Sequence, residues 1–188
     1  AYNPPKSFIS LLLNVRSITS IPIIIIDDGS MPIVEVENVN TILLRNKNNS
    51  GKGFSLIKGF NKALERGYSH AITMDADSQH DPKILQTFIE INENISIVLG
   101  YRQFNTNMPL HRRISNKLTS SVISYICHKQ VLDSQCGYRR YKLDDVCSET
   151  YIENGFQFES EVLINLLCNN CTLQHIEIPT IYAQEKSF

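Results

Sequence analysis

Asp75-Ala76-Asp77-Ser78-Gln79-His80-Asp81 brings three carboxylates, an amide and an imidazole into one short run. Asp75 and Asp77 stand two residues apart and Gln79 two further on, a supply of hard oxygen ligands that suits Mg²⁺ or Mn²⁺. The apolar residues just before them, Ala71 to Met74, read as a buried strand. Ligands of open α/β sheets bind beyond the carboxyl ends of strands. A divalent ion held there would neutralise a diphosphate, which points to nucleotide-sugar chemistry.

Other residues of the same kind are spread along the chain. Asp27-Asp28-Gly29-Ser30 ends a second apolar run, where a carboxylate can accept from a nucleobase N–H or a ribose hydroxyl; Asp-Gly is also an ordinary turn signal. Asn49-Ser50-Gly51-Lys52-Gly53 supplies backbone N–H groups and a lysine ahead of a helix, a good anion site. GxxxxGK[ST] is absent, which disfavours a P-loop nucleotidase. Arg102, Arg112, Arg113, Arg139 and Arg140 offer guanidinium forks for phosphate oxygens. Asp133 and Cys136-Gly137-Tyr138-Arg139 form a turn-rich segment that could close over a substrate. Glu159 and Glu161 sit two apart at a helix start, one expected to face the site and the other water.

These residues need a scaffold. Lys6 to Ser17 has a helical apolar face after Pro4-Pro5. Ile21 to Ile26 is a β-branched run without alternation, as in a parallel strand buried on both sides. Strands are expected at 41–44, 71–74, 95–100 and 172–178. Helices are expected at 54–66, from Asp81-Pro82 to about Glu93, and at 112–128, 143–149 and 158–168. Strand and helix alternate over the first hundred residues, which predicts an α/β fold with a mostly parallel sheet.

The bulk properties set limits. A chain of 188 residues with 42% hydrophobic content is expected to form one domain with a sizeable core. A formal net charge of −1 argues against a nucleic-acid binder. No apolar run approaches a membrane span, so service to a membrane would come from its surface or from a part outside this chain. Five irregularly spaced cysteines make a disulfide framework unexpected and fit a reducing compartment; the lone CxxC, Cys168 to Cys171, lacks the further ligands zinc needs.

Taken together, the motifs resemble family 2 glycosyltransferases of GT-A fold, closest to the polyprenyl-phosphate sugar transferases of the dolichyl-phosphate mannose synthase type. The likeness runs almost the full chain. It covers Ala1-Tyr2-Asn3, Asp27 to Ser30, Asn49 with Gly51-Lys52-Gly53, and Asp75 to Pro82. It continues through Gly100-Tyr101-Arg102, Arg113, Asp133 with Cys136 to Arg139, Phe158 with Glu161, and Glu177-Ile178-Pro179.

The resemblance implies a single GT-A catalytic domain over 1–188, Rossmann-like, with helices on both faces of a mostly parallel central sheet. It implies a metal-dependent, inverting enzyme at the cytoplasmic membrane face. Tyr2, Asn3, Asp27, Asp28, Gly51, Lys52, Asp75, Ala76 and Asp77 would bind the nucleoside-diphosphate sugar, with Asp27 on the nucleobase. Asp75 would touch ribose or metal, and Asp77 and Gln79 would hold Mg²⁺ or Mn²⁺ with the diphosphate. Arg102, Arg113, Arg139 and Glu161 would meet phosphates or the acceptor. Catalysis would fall to Asp77, Arg102 and Asp133.

Two departures stand out. Pro4 replaces the glutamate of the usual Tyr-Asn-Glu, and the strand that normally precedes Tyr-Asn is not in the sequence, so a sheet with a gap is expected. The chain has no Trp, so the QxxRW motif of processive synthases is absent and one sugar per cycle is expected. Alternatives are a family 2 transferase acting on a glycan or lipid hydroxyl, with Asp133 and then Glu161 as its base; a non-catalytic nucleotide-sugar-binding domain; and, more distantly, a nucleotidyltransferase.

Overall fold

The computed structural model describes residues 1–36, 40–103 and 110–179, with the side chains of Leu110 and Arg112 outside the description. Helix α1 (Ser7–Ile18) buries Phe8, Leu11 and Leu12, the i, i+3, i+4 spacing of one face. Arg16 closes its end by donating to the carbonyls of Thr19, Ile21 and Asn40. Strand β1 (Ile23–Asp27) pairs in parallel with β2 (Thr41–Arg45). Helix α2 (Lys52–Glu65) follows, and Gly67 in the left-handed region ends it.

Strand β3 (His70–Thr73) leads to a single 3-10 turn, Pro82–Ile84, and helix α3 (Leu85–Glu90). Asp81 caps the turn by accepting from the Lys83 amide, and the helix stops three residues short of the expected Glu93. Then come β4 (Ile97–Arg102), α4 (Leu110–Cys127), β5 (Arg139–Lys142), α5 (Leu143–Cys147), α6 (Phe158–Cys168) and β6 (Leu173–Ile178).

Four strands form one sheet in the order β3-β5-β4-β6. β4 and β6 run in parallel, and β5 runs against both β3 and β4, so three of the four strands share a direction. Strand β5 is a correction to the sequence reading. Cys136 to Arg139 is no surface turn: it leads into a strand in the middle of this sheet. β1 and β2 form a second sheet. Ala1 takes the open edge of β1, its N–H donating to the Ile26 carbonyl and its own carbonyl accepting from Asp28.

Alternation along the strands splits the core. Ile97, Leu99 and Tyr141 face α2, α4 and α6, while Val98 and Tyr138 face Phe88 of α3. α1 covers β1 through Phe8, Leu11, Leu12 and Ile25. Helices therefore lie on both faces, as expected, and β1, β3 and β4 each run into a segment that carries site residues.

Candidate active site

The centre of the site is an ion cluster between the start of α2, the end of β3 and the start of α6. Lys52 Nζ donates to Asp75 Oδ1 at 2.7 Å and to Glu159 Oε2 at 2.6 Å. His80 is buried, with Nε2 3.6 Å from Asp75 Oδ2. Burial by itself would raise the pKa of Asp75; the facing His80 imidazole and the Lys52 ammonium outweigh it and hold the carboxyl well below its usual range. Burial would lower Lys52, but Asp75 and Glu159 push it above the ordinary lysine value. Asp75 also lies against Gly137, where a Cβ would come within 2.3 Å of its Oδ2. Any side chain at 137 would require that carboxylate to shift.

Asp77 stands apart from this cluster. Its carboxylate is exposed, and Oδ1 accepts from the Gln79 amide at 2.9 Å, a local turn helped by Ser78 at φ 62°. Ala76 packs toward α1, and Gln79 is half-buried. Among the described residues no three His, Cys, Asp or Glu side chains converge as a metal cage. Mg²⁺ in particular is usually held by one or two carboxylates together with substrate phosphates and water. The exposed Asp77 carboxylate fits that mode, while Asp75 is turned toward Lys52 and His80.

The expected phosphate cradle is corrected. The amides of Ser50 and Gly51 donate to Asp28, and those of Gly53 and Phe54 donate to the Asn154 carbonyl. Protein acceptors already fill this helix start, which leaves Lys52 as the loop's cation at the site. Asp27 and Asp28 are likewise turned inward. Asp27 accepts from the amides of Ser30 and Val34 and pairs with Arg45; Asp28 also accepts from Asn46. Both organise loops, so their carboxylates are not presented to a nucleobase. Asn3 pins the same region, its amide donating to Ser30 Oγ and its Oδ1 accepting from the Met31 amide, beside an exposed Tyr2.

A second cluster forms where β4 ends. Arg102 reaches Asp133 with Nε at 2.8 Å and Nη2 at 3.1 Å, a two-pronged pair. Asn116 of α4 also donates to Asp133, at 2.6 Å. Burial would raise the pKa of Asp133, but the hydrogen bonds and charge of Arg102 bring it below the ordinary carboxylate value. A fully buried, ion-paired carboxylate of that kind is a poor general base, and its contacts here include Arg102 and Asn116. Arg113 is half-buried in the first turns of α4.

Arg139 and Glu161 are corrected too. The Arg139 guanidinium is fully buried and donates to the carbonyls of Cys136, Ser134 and Glu159, so it cannot meet a phosphate. Arg140 holds the carbonyls of Phe88, Ile91 and Asn92 at the end of α3. Glu161 accepts from the amides of Ile152 and Glu153, and Glu159 is the carboxylate that enters the site. The sequence held both glutamates at equal weight, and only the packing of α6 separates them.

The comparisons with known proteins bear on the family and the fold. The profile described as Glycosyl transferase family 2 matches residues 1–146. The chain belongs to that family. A UDP-N-acetylglucosamine–dolichyl-phosphate N-acetylglucosaminyltransferase of Methanococcus voltae is 31% identical, over 98% of this chain and 84% of its own length. The polyprenol monophosphomannose synthase of Mycolicibacterium smegmatis is 22% identical, over 87% of this chain and 67% of its own. The glucosyl-3-phosphoglycerate synthase of Mycobacterium tuberculosis, crystallised with Mn²⁺, uridine diphosphate and phosphoglyceric acid, superposes with a TM-score of 0.75 at 13% identity, over 100% of this chain and 69% of its own. The fold of this family 2 glycosyltransferase is GT-A.

Proposed function

We propose that this glycosyltransferase moves one sugar from a nucleoside-diphosphate sugar to a polyprenyl phosphate, with inversion at the anomeric carbon. The observation that carries this reading is the state of the carboxylates. Asp75 and Asp133 are both ion-paired with lowered pKa values, so neither is suited to take a proton from an acceptor. An acceptor that is already ionised needs no such base, and a phosphate monoester is ionised at neutral pH. Arg102 and Arg113 supply positive charge on the side where it would arrive, and the names of the Methanococcus and Mycolicibacterium relatives support the same acceptor class.

On this reading, the donor base lies near Tyr2 and Asn3, in loops that Asp27 and Asp28 hold in shape. Lys52 fixes Asp75 for the ribose side. Asp77, with Gln79 beside it, would hold Mg²⁺ or Mn²⁺. When bound, the ion offsets the charge that develops on the leaving diphosphate. Arg102, steadied by Asp133, orients the acceptor phosphate.

The test offers a polyprenyl phosphate and a glycan hydroxyl to the same enzyme. Transfer should go to the phosphate, and activity should rise with pH through about 6, where the acceptor loses its second proton. Asp133→Asn should keep that pH profile and raise the acceptor KM. Transfer to the hydroxyl alone, with an activity limb that vanishes in Asp133→Asn, would refute the reading.

A further inference from the structure

Helix α4 shows its apolar side to solvent. Asn116, Ser120, Ile123 and Cys127, spaced by three or four residues, form its buried face. Ile114 (59% exposed), Leu118 (65%), Val122 (48%), Tyr125 (81%) and Ile126 (49%) lie on the opposite side at helical spacing. A surface helix ordinarily does the reverse. A continuous exposed apolar stripe marks an interaction surface.

Charge indicates what the stripe fits. The α4 segment contains His111, Arg112, Arg113 and Lys117 and no Asp or Glu, in a chain whose net charge is −1. An apolar stripe on a basic helix without acids suits the boundary of an anionic lipid layer. The same helix is joined to the site, because Asn116 on its inner face donates to the Asp133 that holds Arg102.

We infer that α4 docks this protein on an anionic lipid surface through Ile114, Leu118, Val122, Tyr125 and Ile126, bringing the Arg102–Asp133 pair within reach of phosphate headgroups. This names the surface for the lipid acceptor and rests on the proposed function.

The experiment sediments the protein with vesicles of phosphatidylcholine plus phosphatidylglycerol, and with phosphatidylcholine alone. The protein should partition onto the anionic vesicles, and less so as salt is raised. The double variant Leu118→Ser/Tyr125→Ser should partition about tenfold less while keeping its thermal melting point. Unchanged partition in the variant, or none in the wild type, overturns the inference. So does a dimer that the same variant dissociates, since the stripe would then belong to a second copy. A short, water-soluble isoprenyl phosphate separates the docking from the chemistry: the variant should turn it over at the wild-type rate, and a variant rate that falls on it too counts against the inference. If the wild type transfers to no isoprenyl phosphate but the variant still loses vesicle partition, the acceptor reading fails and the docking surface stands.

Discussion

Lys52 is held by carboxylates on two sides, so removing its charge strands Asp75 and Glu159 together. Lys52→Met should cost about 3 kcal/mol in urea unfolding, as for other broken, mostly buried pairs, and should abolish donor binding in calorimetry. Acid acts on the same cluster and on Asp133. Both aspartates have folded pKa values below their unfolded ones, so their contribution is complete above about pH 4 and fades as the pH falls from there toward the folded values. The stability gap between wild type and Asp133→Asn should therefore narrow below about pH 4; a gap that stays constant into acid would contradict the pairing. Arg139 gives a contrasting case. Arg139→Lys loses buried bonds to three carbonyls and should cost about 3 kcal/mol, with the acceptor KM unchanged. A raised acceptor KM at full stability would return Arg139 to the phosphate site.

Between elements, two glycines set how closely the site's parts approach. Gly51 has φ 100°, and a Cβ there would come within 2.3 Å of the Asn154 carbonyl oxygen. Gly51→Ala should destabilise the protein by about 2 kcal/mol, because backbone strain and a backbone clash combine. Gly137 sets the gap between β5 and Asp75, so Gly137→Ala should displace that carboxylate. Its effect should appear mainly as weaker donor binding, measurable by calorimetry. Loss of stability with donor affinity intact would mean that Asp75 does not touch the donor.

Across the whole molecule, the site lies where the two sheets meet, with Lys52 following β2 and Asp75 following β3. A donor bound there would tie the two parts together and bind only the folded form. At a hundredfold excess over Kd, that adds about 2.7 kcal/mol of stability, or roughly 5 °C or more in Tm for a domain of this size. Screening uridine and guanosine diphosphates with Mn²⁺ by thermal shift should identify the base. Asp77→Ala should abolish the part of the shift that depends on the metal, and a metal-dependent shift equal to that of the wild type would remove Asp77 from the metal site.

By itself the sequence determined the order of elements apart from β5, and it marked the run that carries the candidate metal ligands. β-branched runs and helical spacing are local signals, so α1, α2, α6, β1, β4 and β6 fall within a few residues of where periodicity puts them. The Asp75-Ala76-Asp77 run could be read the same way, because strand and ligands are adjacent in the chain. The tertiary structure decided which polar groups are free. Ser50 and Gly51 amides that look ready for phosphate are taken by Asp28, and an arginine that looks like a phosphate fork is enclosed by carbonyls. β5 was hidden because Arg139, Arg140 and Lys142 do not read as a central strand, yet backbone carbonyls accept from both arginines. Glu159 was separated from Glu161 by the rotation of α6 alone. Those outcomes depend on partners far away in sequence, where desolvation and hydrogen bonding decide what each charge can do.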